Sequence, residues 1–209
     1  MNPYFKTPPV VKNLLIINLL VFMATSLLHK SGAAMGIGDY IAGYGALYWF
    51  RSPYFHAWQF LTYMFLHANF EHLFFNMFAL WMFGRQLEYE LWSRRFLIYY
   101  LICGVGAALV QMAVVWATGD YGIQLLGASG AVMGLLLAYG VMYPNSIIML
   151  LIPPIPMKAK WFVIGYAVLE LFMGWRGYDA GVAHFAHVGG MLWGWLLLRY
   201  WKRKGNIYY

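Results

Sequence analysis

Gly127-Ala128-Ser129-Gly130 opens an apolar stretch that ends at Pro144-Asn145, and Ala186-His187-Val188-Gly189-Gly190 lies near the start of another such stretch. Of the 209 residues, 63% are hydrophobic, 20% are aromatic and only 10% are charged. A soluble domain of this size could not bury that much apolar surface. The composition therefore indicates an integral membrane protein, and residues 1–209 are expected to fold as a single domain.

Apolar segments recur along the chain, and charges, prolines or glycines separate them. They cover residues 13–28, 70–84, 96–117, 129–143, 161–175 and 182–201. Several are shorter than the roughly 20 residues that cross the hydrocarbon core alone. A short helix is tolerated when other helices surround it and water reaches one of its ends. The pattern predicts an all-α membrane protein, a bundle of six transmembrane helices.

Residues 30–69 form the longest connection and are rich in glycine, tyrosine, tryptophan and phenylalanine. This composition is typical of a segment that lies among lipid head groups. We expect a membrane-associated first loop that rests in the outer leaflet. An ordinary aromatic belt is the alternative.

The basic residues give the orientation. With a cytoplasmic N-terminus, only three lie outside, namely Lys30, Arg51 and Arg176. The other eleven lie inside: Lys6, Lys12, Arg85, Arg94, Arg95, Lys158, Lys160, Arg199, Lys202, Arg203 and Lys204. This bias follows the positive-inside rule, and contact with anionic lipid accounts for the net charge of +7. No basic stripe or motif predicts nucleic-acid binding. Both termini are expected in the cytoplasm, with Ser129 and His187 near the outer face.

Two polar side chains share one face of the second predicted span. His72 and Asn76 are four residues apart, which on a helix is about 40° around the axis. Polar groups in an apolar helix are costly unless they are paired or functional. Donors at one place could stabilise an oxyanion during acyl transfer at Ser129. Hydrogen bonding between helices is the alternative.

A metal site is the next alternative, because His67, Glu71 and His72 superficially resemble zinc-protease signatures. Those signatures place both histidines on one helix face. His67 and His72 are five residues apart, about 140° around a helix, so a zinc site requires His67 to lie off the helix. No carboxylate pair lies within the spans for an aspartyl mechanism. We therefore predict no metal and no cofactor.

The Gly-x-Ser-Gly motif is weak evidence alone, and Ala131 distinguishes it from the nucleophile elbow of soluble hydrolases. Its glycines, and a Gly-x-x-x-Gly pair after His187, fit close packing between membrane helices. Close packing is also what a hydrogen bond between Ser129 and His187 demands. The glycines that flank the two residues are Gly127, Gly130, Gly134, Gly190 and Gly194.

Across nearly the whole chain, these motifs and the six-span order resemble the rhomboid intramembrane serine proteases. The resemblance implies that Ser129 is the nucleophile and His187 the general base, in a dyad without a carboxylate. It also implies that His72, Asn76 and the Ser129 backbone N–H form the oxyanion hole. His67 would be a supporting polar residue near the water-accessible pocket.

The first span has a second interpretation, since Lys6 and Lys12 precede an apolar run and the small residues 31–34, as in a cleaved signal peptide. The rhomboid resemblance favours a retained helix.

Two positions depart from the family pattern. Gln59 follows Trp58 where an arginine often braces the loop, and Met133 replaces an aromatic that often stacks on the catalytic histidine. A thioether can still pack against an imidazole.

The resulting hypothesis is an intramembrane endopeptidase whose substrates are transmembrane proteins unwinding near the outer face of the bilayer. A non-catalytic rhomboid-like protein that binds membrane clients is one alternative. A six-helix transporter or channel is another, but the halves show no obvious repeat and Glu170 is the main intramembrane charge. The chain's small size favours a multi-pass protein of the bacterial plasma membrane.

Overall fold

The computed structural model describes residues 6–29, 35–149, 154–177, 183–205 and 207. Within these ranges the helices are α1 (Pro9–Leu27), α2 (Ile37–Gly45), α3 (Gln59–Thr62), α4 (Phe70–Thr118), α5 (Ser129–Met142), α6 (Ala159–Arg176) and α7 (His184–Arg203). A 3-10 turn, Tyr63–Phe65, follows α3. The antiparallel strands β1 (Ile147–Met149) and β2 (Pro156–Lys158) lie between α5 and α6. Residues 31–34, the cleavage site of the signal-peptide alternative, lie outside the described residues.

Polar side chains lie inside the helical bundle, and large apolar side chains face outward from it. Two helices, α1 and α4, are long and apolar enough to cross a membrane by length and composition. The outward face of α6 exposes Trp161, Ile164, Val168, Leu169, Leu171, Phe172 and Trp175. The buried polar residues are Asn18, Gln59, His67, Asn76, Glu88, Gln111, Glu170, His184 and His187. This distribution is that of a helical membrane protein, in which lipid contacts the surface.

The segments predicted at 70–84 and 96–117 are the two halves of α4, and the connection between them is a sharp bend instead of a loop. Residues 85–95 are helical except at Trp92, which has φ 62° and ψ 148°. The connection is largely helical because this stretch consists mostly of residues with good helix propensity. A Cβ placed on Gly84 would lie 3.2 Å from Cζ of Phe96. Twelve residues of straight helix span about 18 Å, so the two halves of α4 fold back on each other at Trp92.

A buried carboxylate joins α1 to this bend. Oε1 of Glu88 accepts a hydrogen bond of 2.9 Å from the backbone N–H of Val10, and Oε2 accepts one of 2.7 Å from that of Val11. The hydroxyl of Ser93 donates to Oε1 at 2.6 Å. The first N–H groups of a helix have no acceptor in their own helix, and the helix dipole favours negative charge there. Glu88 therefore anchors the N-terminus of α1 against α4.

Small residues let α4, α5 and α7 pack closely. A Cβ on Gly190 would overlap the backbone oxygen of Gly130, so α5 and α7 touch through their backbones. The buried thiol of Cys103 occupies the space that a Cβ on Gly134 would need, and it lies close to Gly194 as well. This contact between helices fixes the position of Ser129, at the start of α5, relative to His187, on the first turn of α7.

Candidate active site

Ser129 is the first residue of α5, and the chain before it is held by the first loop. Leu125 exchanges two backbone hydrogen bonds of 2.9 Å with Leu47, and the N–H of Gly127 donates to the carbonyl of Tyr63 at 2.9 Å. Gly127 has φ +120°, a conformation that side-chain-bearing residues rarely adopt. The glycine before the serine is therefore needed for the turn that starts α5.

The structure brings Ser129 and His187 together. Oγ of Ser129 lies 2.8 Å from Nε2 of His187, which is on the first turn of α7. The close approach of Gly130 and Gly190 allows this contact, since a side chain on Gly190 would push the two helices apart. A serine hydrogen-bonded to a histidine is the arrangement in which the imidazole can remove the hydroxyl proton.

Glu170 on α6 lies on the Nδ1 side of His187, a contact that the sequence pattern did not predict. Oε2 of Glu170 lies 2.7 Å from Nδ1 of His184 and 3.0 Å from Nδ1 of His187. The second contact has the distance of an ion pair but not the alignment of a hydrogen bond. The one hint in the sequence was that Glu170 is a carboxylate within an apolar helix. His184 lies three residues before His187, on a neighbouring part of the same helix face.

The same three side chains could hold a metal ion. One donor atom from each of Glu170, His184 and His187 lies within 4.8 Å of the others, and all three residues are buried. The zinc alternative around His67 and His72 involves different residues. His67 does lie off the helix, but in the described part of the chain His67, Glu71 and His72 form no such three-ligand group.

His72 lies beside the serine, and its position is fixed by the start of α4. Its backbone N–H donates to Oδ1 of Asn69, the residue that caps the helix, at 2.8 Å. Its Nδ1 accepts a bond of 3.4 Å from the N–H of Ala68, which leaves the proton on Nε2. A Cβ on Gly127 would lie 2.8 Å from Nε2 of His72 and 3.7 Å from Oγ of Ser129. Nε2 of His72 and the serine hydroxyl therefore both border the turn at Gly127.

Asn76 is buried one turn further along α4. Its side-chain amide donates to the carbonyl of His72 at 2.8 Å, a bond within its own helix. The amide carries a second N–H. The N–H of Ser129 is the first of α5, and such groups have no acceptor within their own helix.

His67 and Met133 lie at the edges of this arrangement. His67 is 7% exposed, and its ring packs edge-on to that of His72 with centroids 5.1 Å apart. Neither of its ring nitrogens has a well-formed hydrogen bond. Burial, assisted by the neighbouring His72, lowers the pKa of His67 to about 4, so the ring is neutral at pH 7. Met133 is partly buried against the hydrophobic core, one turn after Ser129.

Gln59, which stands where the rhomboid pattern often has an arginine, holds the first loop together through hydrogen bonds. The side chain is fully buried, and its Nε2 donates to the carbonyl of Tyr44 at 3.2 Å and to that of Tyr54 at 2.9 Å. Its Oε1 accepts a bond of 3.1 Å from the N–H of His56. An amide on a short side chain thus supplies the contacts that hold this loop.

Taken together, these features define a class: helical membrane proteins whose buried interior holds a hydrogen-bonded serine and histidine. The chain belongs to the rhomboid family, since the family model described as "Rhomboid domain" matches residues 54–204.

Curated relatives agree with this assignment. Over 149 residues the chain is 31% identical to "Presenilin-associated rhomboid-like protein, mitochondrial" of Bos taurus, a match that covers 67% of this chain and 38% of that protein. Over 184 residues it is 31% identical to "Rhomboid-like protein 11, chloroplastic" of Arabidopsis thaliana, covering 77% of this chain and 59% of that one. The chain therefore spans less than two thirds of the length of each of these relatives.

Proposed function

We propose that this protein is an intramembrane serine endopeptidase that cleaves transmembrane helices of other membrane proteins near the outer face of the bilayer. The observation that carries the proposal is the 2.8 Å contact between Oγ of Ser129 and Nε2 of His187 inside a helical membrane protein. Membership of the rhomboid family adds support. Ionisable side chains inside a membrane protein are rare, and they are functional-site candidates by default.

In the proposed reaction, Oγ of Ser129 attacks the carbonyl carbon of the scissile peptide bond while Nε2 of His187 accepts the hydroxyl proton. The tetrahedral intermediate collapses, the C–N bond breaks, and His187 gives its proton to the leaving amine. A water molecule then attacks the acyl ester, again with His187 as base. The proton returns to Oγ of Ser129, and the second product leaves as a carboxylic acid.

The negative charge on the intermediate needs donors. The N–H of Ser129 opens α5, where the positive end of the helix dipole favours an oxyanion. Nε2 of His72 carries a proton when Nδ1 accepts from Ala68, so it can donate to the same place. Asn76 is proposed as the third donor through its second N–H. Such donors contribute most where water is excluded.

For the topology, we propose six membrane crossings by α1, the two halves of α4, α5, α6 and α7. The bend at Trp92 is flanked by Arg85 and Arg94, and α7 ends at Arg203, so these ends share a basic face. Ser129 and His187 lie at the other end of their helices. Both termini then lie on the basic side, the cytoplasm of a bacterial cell. A bacterial plasma membrane stays a prediction, since the relatives' names mention mitochondria and chloroplasts.

As substrates we propose single transmembrane helices that carry glycine, proline or small polar residues near their outer end. Such residues weaken a helix and make the peptide bond accessible to the serine. The lipid bilayer is the other partner, and the aromatic first loop would contact its head groups.

The test is cleavage of a single-span reporter by the purified full chain in liposomes, comparing wild type with Ser129→Ala and His187→Ala. Ser146→Ala is the matched control, because Ser146 follows α5 at its other end. We expect both site variants to lose at least about 10³-fold in rate, with Ser146→Ala and a chelator harmless. A wild type that cleaves nothing, or a Ser129→Ala variant that cleaves normally, would overturn the proposal. Stable binding of the reporter without cleavage would then favour the client-binding alternative.

A further inference from the structure

Glu170 occupies an unusual position for a carboxylate. It is 5% exposed, while its neighbours Leu169 and Leu171 on α6 point outward and are 51% and 46% exposed. Burying a charge in such surroundings is costly unless the charge is paired. Its Oε2 contacts the imidazoles of His184 and His187, both on the first turn of α7. The side chain of Tyr166, on the same helix as Glu170, also hydrogen-bonds to the carboxylate. Two of the three partners of the carboxylate are therefore histidines.

The two nitrogens of the His187 ring face different groups. Nε2 meets the hydroxyl of Ser129 at 2.8 Å, and Nδ1 lies 3.0 Å from Oε2 of Glu170. To accept the serine proton, Nε2 must be unprotonated, so the ring's proton must be on Nδ1. A carboxylate beside Nδ1 favours this tautomer and stabilises the imidazolium that forms afterwards. The off-line angle of the contact is common before substrate binds, when catalytic hydrogen bonds are often poorly aligned.

His184 holds the carboxylate in place. Its Nδ1 lies 2.7 Å from the same Oε2 atom, a full hydrogen bond with the carboxylate as acceptor. The two imidazoles stand nearly perpendicular, with centroids 6.4 Å apart. Oε2 of Glu170 therefore lies between the rings of His184 and His187. The well-aligned hydrogen bond to His184 holds it there.

We propose that Glu170, anchored by His184, is a positioning residue that orients His187 and stabilises its protonated form, so that the working unit is Ser129, His187 and Glu170. The proposal rests on the protease function proposed above, and it departs from the carboxylate-free dyad that the family resemblance implies. In this role Glu170 makes no contact with the substrate. Its effect on the reaction passes through Nδ1 of His187.

The test compares Glu170→Gln and Glu170→Asp with wild type in the liposome assay, measuring kcat, KM and the pH profile of kcat. The matched control is Glu88→Gln, which alters a second buried carboxylate among the described residues. We expect Glu170→Gln to lower kcat by about 10²-fold with little change in KM. Glu170→Asp, which keeps the charge, should recover part of the loss.

The pH profile separates positioning from a purely structural role. The titratable groups around the Glu170 carboxylate are His184, His187 and Tyr166, which lies one turn earlier on α6. Because Glu170→Gln removes the counter-charge of the imidazolium, the acid limb of kcat should move to lower pH. A structural defect would lower the amount of active enzyme without moving this limb. Equal kcat and an unmoved limb in Glu170→Gln would overturn the inference.

Two further readouts separate the outcomes. A fluorophosphonate probe reports the reactivity of Ser129 without any peptide substrate, and its labelling rate should fall in Glu170→Gln. If wild type neither cleaves nor labels, the proposed function itself has failed. If wild type does both and Glu170→Gln matches it, only the role of Glu170 has failed. Loss of wild-type activity on addition of a chelator would overturn positioning in favour of a metal held by Glu170, His184 and His187.

Discussion

Glu88 and Glu170 are both buried glutamates in apolar surroundings, at 2% and 5% exposure, yet they have different kinds of partner. Glu88 binds the backbone N–H groups of Val10 and Val11 and a hydroxyl, none of which changes its charge at ordinary pH. Glu170 contacts two imidazoles, which can gain and lose a proton. Burial alone therefore does not indicate that a carboxylate is functional. Contact with groups that can gain and lose a proton is the better indication.

Of the variants that test this comparison, Gly190→Ala should have the largest effect, because it disrupts the contacts around His187 and leaves those of Glu88 intact. In Gly190→Ala the new methyl would overlap the backbone oxygen of Gly130, so α7 must move away from α5. We expect cleavage to fall at least about 10²-fold and stability by roughly 3 kcal/mol. The hydrogen bonds of Glu88 join α1 to α4 and involve no residue of α5 or α7.

Gly165→Ala on α6 is the matched control, because no atom lies within 4 Å of the Cβ it would add. It should leave both cleavage rate and melting temperature close to wild type. Normal cleavage by Gly190→Ala would show that the close contact of α5 and α7 is not what positions the serine and histidine.

The next prediction concerns Glu88 itself. Glu88→Gln removes the charge that faces the N-terminus of α1 and one of its acceptor oxygens, so we expect a loss of about 1–3 kcal/mol in the free energy of unfolding. The measurement is denaturation in detergent, with kcat measured on the folded fraction. That kcat should equal wild type. Glu90→Gln, an exposed carboxylate on the same helix, controls for the charge change. A fall in kcat comparable to that of Glu170→Gln would erase the distinction between the two glutamates.

The smallest predicted effect belongs to Gln59, a buried polar residue that resembles Glu88 in having backbone partners. Gln59→Ala leaves the carbonyls of Tyr44 and Tyr54 without their donor, and a destabilisation of about 1–2 kcal/mol should follow. Limited proteolysis should cut the first loop faster, with a modest change in KM. Gln124→Ala removes an exposed amide that bonds to the hydroxyl of Tyr48 and should have little effect. Unchanged proteolysis in Gln59→Ala would show that this loop is held by other contacts.

The sequence allowed some of these features to be predicted because they are local. Hydropathy placed α1, α5, α6 and α7 close to their observed bounds, and the spacing of His72 and Asn76 put them on one face of α4. The contact of Glu170 with His187 could not be predicted, because it depends on how α6 rotates against α7 across a connection. The break between the two halves of α4 was predicted, but its form was not, because residues 85–95 favour a helix and leave it only at Trp92.

Cys103 is the single cysteine of the chain and lies buried where α4, α5 and α7 meet. A thiol reagent can reach it only when these three helices separate, so the rate of alkylation at this sulfur measures the opening of the bundle around the site. Because Cys103 is the single cysteine, no other thiol of the chain reacts. A cysteine introduced on an exposed face, such as that of α6, would then carry a fluorophore or spin label as the only accessible position.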